Sequence, residues 1–173
     1  MRKLFGLLAM MFIVCSVNAQ RDNRGAYIGA NVGFNVNATN GVNSNSVFNV
    51  QMGHFLDYCQ AVEFEYTYGF KSKGNYFNRY GLNYKYEFDL PYYCKSAPYF
   101  KLGAAYKSVE FECHKFDNIN LLDLKFGLGL SYYFRSNVSV NVGVEFTNDF
   151  NRDYSFQWKN TLCQFNIGLA LNF

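Results

Sequence analysis

Apolar and polar residues alternate one by one along eight successive stretches of the chain, from Gly25 to the C-terminus. Polar or glycine-bearing breaks separate these stretches. A period of two is the signature of a β-strand, because successive side chains point to opposite faces of a sheet. The alternating stretches are residues 26–36, 48–53, 61–70, 76–88, 100–107, 122–134, 138–147 and 161–173. The pattern predicts an all-β fold, an eight-stranded antiparallel up-and-down β-barrel.

The glycines indicate which face of this barrel looks inward. The chain has 14 glycines. Glycine weakens a strand, and a water-facing surface has no steric reason to collect it, whereas the narrow lumen of a small barrel does. The glycines within the predicted strands all fall on the polar face: Gly29, Gly33, Gly53, Gly69, Gly81, Gly103, Gly127, Gly129, Gly143 and Gly168. The apolar face is therefore predicted to meet lipid, which makes the barrel transmembrane. The alternative is a secreted soluble, lipocalin-like carrier with its apolar face inside.

Charged residues share the glycine face, and a lysine or arginine on the lipid face would cost roughly 2–4 kcal/mol at the bilayer midplane. The predicted lumenal charges are Glu63, Glu65, Arg79, Lys85, Glu87, Lys101, Lys107, Asp123, Lys125 and Glu145. Unpaired burial would cost several kcal/mol per ion, so these groups are predicted to form a salt-bridged network. An approximate hairpin register suggests the pairs Glu65 with Arg79, Glu63 with Lys85, Glu87 with Lys101 and Glu145 with Lys125. The network either stabilises the barrel as a polar core or acts as a gate for small ions.

The N-terminus has the pattern of a cleaved secretory signal. Arg2 and Lys3 precede an apolar stretch over residues 4–15, and small residues follow at 17–19. The apolar stretch falls short of the roughly 20 residues that span a bilayer as a helix. Cys15 raises a lipoprotein alternative, which the bulky Val14 before it disfavours. We predict a signal peptide over residues 1–19 and one barrel domain over residues 20–173.

Composition narrows the function classes. The formal net charge is only +3, so charge-driven nucleic-acid binding is not expected. Aromatic residues make up 20% of the chain, and many lie near predicted strand ends, as in the interfacial girdles of membrane barrels.

The segments between strands offer little catalytic chemistry. With both termini on the periplasmic side, the outer segments are residues 37–46, 71–75, 108–118 and 148–159. Their aromatic and asparagine residues suit adhesion or ligand contact, or else belong to strands that extend beyond the bilayer. Ser108, Glu110 and His114 form the only outer acid–base cluster, and such a cluster arises easily by chance, so no enzymatic activity is expected. Cys113 and His114 lack a second ligand pair, so neither a metal nor a cofactor is expected.

Four cysteines remain in the predicted mature chain: Cys59, Cys94, Cys113 and Cys163. Three pairings are possible in an oxidising compartment. Cys59 and Cys94 both fall at predicted periplasmic ends of strands, which makes them the candidate disulfide.

The mature chain resembles the small bacterial outer-membrane β-barrel proteins, the group that includes the OmpA membrane domain, OmpX and the opacity-type surface proteins. Residues 27–34, 51–56, 98–106 and the terminal alternation that ends in Phe173 carry this resemblance. It implies that Phe173 is the signal for the outer-membrane assembly machinery and that lipid and lipopolysaccharide surround the barrel. It also implies a surface or envelope role, in which the outer segments contact an unidentified surface ligand. The alternative role is that of a narrow channel.

Overall fold

The computed structural model describes residues 25–37, 45–72, 75–88, 95–111, 119–135, 137–150 and 161–173. Eight strands account for nearly all of them. They are β1 (Ala26–Asn37), β2 (Asn45–Phe55), β3 (Gln60–Ser72), β4 (Asn75–Glu87), β5 (Ser96–Phe111), β6 (Ile119–Arg135), β7 (Val138–Phe150) and β8 (Thr161–Asn172). The described part of the chain contains no helix of the length and apolar character needed to cross a membrane.

The strands form a closed antiparallel barrel in chain order. Each strand pairs with the next, and β8 pairs with β1, so the sheet has no free edge. Val32 of β1, for example, lies opposite Phe48 of β2 on one side and Ile167 of β8 on the other. Closure satisfies the backbone hydrogen bonds that an open sheet would expose to lipid. The predicted eight-stranded up-and-down barrel is confirmed.

The two faces of the barrel differ as the alternation predicts. Outward apolar side chains such as Leu128 and Ile167 are 49% and 54% exposed. Inward polar side chains such as Gln51 and Gln164 are 1% exposed or less. A soluble carrier would show the reverse arrangement, so the structure is that of a transmembrane barrel with a polar interior.

The start of β1, the end of β8 and two turns share one end of the barrel, which we name the terminal end. The Phe173 amide donates to the Ala26 carbonyl at 2.8 Å, and the Asn172 amide donates to the Asn137 carbonyl at 2.9 Å. The turn between β2 and β3 lies at the same end, where the Phe55 amide donates to the Gly25 carbonyl. We name the opposite end the outer end. In bacterial barrels the end with the termini and the short turns faces the periplasm.

Several strands are longer than the alternation suggested. Strand β5 begins at Ser96 and ends at Phe111, and β7 continues to Phe150. The outer segments 108–118 and 148–159 therefore begin with strand residues, and strand residues also enter the segments 37–46 and 71–75. Backbone pairing does not require an apolar side chain, so a strand can continue into polar sequence beyond the hydrocarbon. Those residues of the outer segments that the structure describes are therefore mostly ends of strands, which was one of the two interpretations of the sequence.

Glycines allow large lumenal side chains to lie against the wall. The Tyr27 ring occupies the space where a Cβ of Gly53 would be, and Tyr99 lies against both Gly129 and Gly143. A Cβ on Gly143 would come within 2.5 Å of the Tyr99 hydroxyl. The lumen is therefore filled partly by aromatic rings, and glycine provides the room for them.

Candidate functional site: the lumenal charge network

All ten predicted lumenal charges lie inside the barrel and are at most 8% exposed. They all come from the middle strands, β3 to β7, and none of them comes from β1, β2 or β8. Such low exposure means that the side chains occupy the bore rather than line a wide water-filled channel. Eight of these residues form two groups, each with two acids and two bases.

The first group, the Glu65 cluster, consists of Glu65, Arg79, Lys125 and Glu145. The Lys125 ammonium lies 2.5 Å from Glu65 and 3.4 Å from Glu145. The Arg79 guanidinium lies 3.5 Å from Glu65 and 3.9 Å from Glu145. Each base therefore contacts both acids, and the four formal charges cancel.

Neutral side chains complete the surroundings of Glu65. The Thr67 hydroxyl donates to it at 2.9 Å, and the Asn83 amide donates to it at 3.0 Å. Arg79 in turn donates to Gln164 at 2.9 Å. Buried ions stabilise a fold only when such hydrogen bonds accompany the ion pairs, and this cluster meets that condition.

The second group, the Glu63 cluster, consists of Glu63, Lys85, Glu87 and Lys101. Lys101 lies 2.7 Å from Glu63, and Lys85 lies 2.6 Å from Glu87 and 4.0 Å from Glu63. The Tyr27 hydroxyl donates to Glu63. This cluster is likewise neutral in total.

Aromatic rings and hydroxyls surround the Glu63 cluster. Glu87 accepts hydrogen bonds from Ser131 at 3.1 Å and from Tyr133 at 2.6 Å. The Lys85 ammonium also lies 4.7 Å from the centre of the Tyr99 ring, within the range of a cation–π contact. Charges and rings together fill the bore at this level.

Three of the four suggested ion pairs are present: Glu65 with Arg79, Glu63 with Lys85, and Glu145 with Lys125. The fourth differs, since Glu87 contacts Lys85 and Lys101 contacts Glu63. The register explains this difference. Lys85 lies directly opposite Lys101, whereas Glu87 lies opposite Tyr99. The approximate hairpin register did not distinguish Lys85 from Glu87 as the residue that lies opposite Lys101.

The other two lumenal charges are Lys107, whose backbone lies opposite that of Arg79, and Asp123. The Lys107 ammonium is 5.3 Å from the centre of the Phe77 ring, in a cation–π arrangement. Asp123 is fully buried, and its backbone lies opposite Ala105.

Sequence reasoning did not assign the lumenal tyrosines a role in the network. These tyrosines are Tyr27, Tyr99 and Tyr133. Parity along the strand was the available signal. Tyr99 precedes Lys101 by two residues, and Tyr133 follows Ser131 by two, so each must share the inward face.

The remaining candidate residues fall in three places. Ser108 and Glu110 lie on the outward face of β5, while His114 lies outside the described residues, as does Cys113. Cys59 and Cys163 are free thiols in the structure, and Cys94 lies outside the described residues, so the Cys59–Cys94 disulfide stays a prediction. Phe173 is exposed beside the last strand. Within the described ranges no group of three or more His, Cys, Asp or Glu side chains is arranged to hold a metal ion.

Comparison with known proteins identifies the architecture. Residues 5–173 match the family model described as the outer membrane protein beta-barrel domain. No curated protein matches the sequence. Among solved structures, Neisserial surface protein A is similar at 15% identity and a TM-score of 0.71, covering 86% of this chain and 97% of its own.

Two further structures extend this comparison. Ail, the attachment invasion locus protein of Yersinia pestis, is similar at 15% identity and a TM-score of 0.60, covering 87% of this chain and 99% of its own. The outer membrane enzyme PagL is similar at 13% identity and a TM-score of 0.56, covering 85% and 99%. At these identities the likeness shows the fold alone, and the fold is found in both surface proteins and an enzyme.

Proposed function

We propose that this chain, which belongs to the family of outer-membrane protein β-barrel domains, is a non-catalytic surface component that is anchored by a closed barrel and acts through its outer segments. The observation that carries the proposal is the filled bore, in which eight paired charges form two neutral clusters. A barrel that is occupied in this way is suited to anchoring rather than to transport. The outer segments are then the part of the protein available to other molecules.

Several further assignments belong to this proposal. Residues 1–19 are removed on export, Phe173 is read by the assembly machinery, and lipopolysaccharide surrounds the outer end. The role in attachment finds support in the similarity of the fold to Ail, whose name describes an attachment protein. Non-catalytic action finds support in the placement of Ser108 and Glu110, which lie on the outward wall of β5 where Glu110 accepts hydrogen bonds from Tyr76 and Asn78.

Conductance tests the closed barrel. The refolded protein in a planar bilayer is expected to be electrically silent. Replacing Lys125 and Glu145 together by serine removes one base and one acid from the Glu65 cluster, so it vacates space without changing the net charge, and it should produce measurable conductance. A matched control is the exchange of Lys95, which is exposed at the terminal end, for serine. Steady conductance by the unaltered protein would overturn the closed-barrel part of the proposal.

Surface display tests the outer segments. Residues 112–118 and 151–160 can be replaced by short Asn-Gly turns, which are compatible with an antiparallel connection. Cells that display the shortened barrel should attach less well to immobilised extracellular matrix than cells that display the full chain. Equal attachment by both, at equal surface amounts, would contradict a role for these segments.

A second candidate function is a narrow ion channel that the network gates. One observation favours it: Lys125 and Arg79 each lie within 4.0 Å of both Glu65 and Glu145, so partners can be exchanged over short distances. The conductance experiment separates the two functions, because a gate would open and close in the unaltered protein.

A further inference from the structure

Tyrosines are unevenly distributed around the outer wall of the barrel. An outward tyrosine alternates along its strand with lumenal residues, as Tyr80 does with Arg79 and Gly81. The described strands carry eight outward tyrosines, all on β3 to β6: Tyr66, Tyr68, Tyr76, Tyr80, Tyr84, Tyr86, Tyr106 and Tyr132. The described residues of the other four strands, β7, β8, β1 and β2, include no outward tyrosine. These four strands adjoin one another in the closed sheet, and we name their outward side the tyrosine-free flank.

Tyrosine has a particular place in a membrane barrel. Its ring packs among acyl chains while its hydroxyl reaches the headgroups, and such rings form girdles at both surfaces of the bilayer. Strand β4 shows both levels, since Tyr76 lies toward the outer end and Tyr86 toward the terminal end. A wall that meets lipid on all sides has equal reason to carry this anchor on all sides. The distribution among the described residues therefore indicates that the tyrosine-free flank is covered by protein.

The side chains of the tyrosine-free flank are suited to packing against protein. Val32, Ile167 and Val142 are direct backbone neighbours across β1, β8 and β7, and each is more than half exposed. Side chains that branch at Cβ have few rotamers to lose when they pack. Within lipid, proteins associate through close van der Waals packing rather than through the hydrophobic effect. A stiff apolar wall of this kind meets that requirement.

A groove crosses the same flank. Its volume is about 1220 Å³, and outward residues of β7, β8 and β1 such as Val144, Phe165 and Phe34 line it. On the tyrosine-bearing side, the groove that lies between Tyr80 and Tyr106 has a volume of about 230 Å³. The larger groove provides space for the side chains of a partner.

The exposed area of the flank is comparable with that of a protein interface. Its large apolar side chains that are between 38% and 59% exposed are Ile28, Val32, Phe34, Val36, Phe48, Val142, Phe146, Phe165, Ile167, Leu169 and Leu171. Together they offer on the order of 900 Å² of apolar surface, and a standard interface buries about 800 Å² on each partner. The flank is therefore large enough for a specific contact.

The depth of the flank defines the kind of partner. Its described outward positions carry no Asp, Glu, Lys or Arg, so the partner must also present an apolar wall across the hydrocarbon. A second copy inserted in the same direction presents such a wall at the same depth, because a two-fold axis along the membrane normal keeps every residue at its level. We propose that the tyrosine-free flank is the contact surface between two copies of this chain in the membrane.

Thiol cross-linking in phosphatidylcholine vesicles tests the contact. Cys163 is a free thiol at an outward position of β8, within the flank. In a chain whose other cysteines are replaced by serine, a short lipid-soluble bis-maleimide should link two copies through Cys163. The matched control carries Cys163→Ser and Leu82→Cys, which moves the thiol to an outward position of β4. This control should give little cross-linked product.

A bulky side chain in the groove tests the packing. Ile167→Trp places an indole at the centre of the flank, and Leu82→Trp places one on β4, where the wall is also apolar and exposed. The dissociation constant is measured in vesicles by Förster transfer between cysteine-free copies labelled at Lys95→Cys, at falling protein-to-lipid ratios. Ile167→Trp should raise this constant about five- to hundredfold through overpacking, and Leu82→Trp should leave it unchanged. If Ile167→Trp lacks the heat-dependent gel mobility of a folded barrel, Val32→Phe takes its place.

Three results would overturn the inference. The first is a monomer at every protein-to-lipid ratio, which would mean that lipid or a different protein covers the flank. The second is equal cross-linking from Cys163 and from the thiol on β4, and the third is an equal effect of the two tryptophans. A monomer that is electrically silent and supports attachment would leave the proposed function intact, so the two proposals fail separately.

Discussion

Replacing Lys125 by methionine tests whether the lumenal charges stabilise the barrel as neutral clusters. Methionine keeps much of the length of lysine but removes the charge. The Lys125 ammonium contacts Glu65 at 2.5 Å and Glu145 at 3.4 Å, and all three side chains are at least nine-tenths buried. After the exchange two buried carboxylates share Arg79 as the one base of the cluster. We expect a large loss in the free energy of unfolding.

The magnitude follows from the distances and from the cost of burial. With an effective dielectric constant of about 20, the two contacts correspond to Coulomb attractions of about 7 and 5 kcal/mol. Removing the lysine from water offsets several kcal/mol of this attraction. Breaking a buried ion pair by removing one partner costs about 3–5 kcal/mol, and we expect a loss in that range.

Urea unfolding in detergent micelles, followed by heat-dependent gel mobility, gives the free energies. The double variant Lys125→Met with Glu145→Gln restores neutrality and leaves the Glu65–Arg79 pair in place. It should recover much of the loss. Lys95→Met is the control for lysine removal, because Lys95 is exposed, and its unfolding free energy should be nearly unchanged.

The comparison between the single and double variants decides whether charge balance within the Glu65 cluster stabilises the barrel. A single-variant loss below about 1 kcal/mol would mean that the contacts contribute little, as surface ion pairs do. A double variant as unstable as the sum of its single exchanges would mean that charge balance within the cluster is not the cause. Either result would refute the reasoning.

Three further exchanges test the lumen and the lipid face, each by urea unfolding. Gly143→Ala places a Cβ 2.5 Å from the Tyr99 hydroxyl and should lower the free energy of unfolding by about 1–3 kcal/mol. The loss should be smaller in a Tyr99→Phe background, and an equal loss in both backgrounds would contradict the steric explanation. Leu128→Arg, in lipid vesicles, should cost about 2–4 kcal/mol because Leu128 is outward and exposed, whereas Leu128→Ile should be mild; tolerance of the arginine would argue against lipid contact. Tyr27→Phe removes a hydrogen bond to the Glu63 carboxylate and should cost about 1.5–3 kcal/mol, and an unchanged stability would show that this bond contributes nothing.

Much of the fold could be predicted because a barrel wall is a strictly local pattern. Residues that alternate along one strand share a face whatever the neighbouring strand is, so Glu63 and Glu65 could be assigned to the lumen from sequence. The ends of the strands could not be predicted as well. Ser108 and Asn148 look like loop residues, yet backbone hydrogen bonds to the adjacent strand keep them in β5 and β7.

The candidate site divides in the same way. Which charges face inward follows from the period of two, whereas the partner of each charge depends on the register between strands and on distances across the bore. Lys125 meets Glu65 from a strand that does not adjoin β3, and Arg79 reaches Gln164 from the far wall. No hairpin argument gives such contacts, because they join strands that are neither consecutive nor hydrogen-bonded to each other.

The sequence by itself determined the number of strands, the face that meets lipid and the set of charges that must be accommodated inside, because these depend only on the order of residues along one strand. The tertiary structure alone decided the two neutral clusters and the hydrogen bonds that Tyr27 and Tyr133 donate into the Glu63 cluster. Those features arise when the sheet closes, since closure brings together side chains from strands that are far apart in the chain.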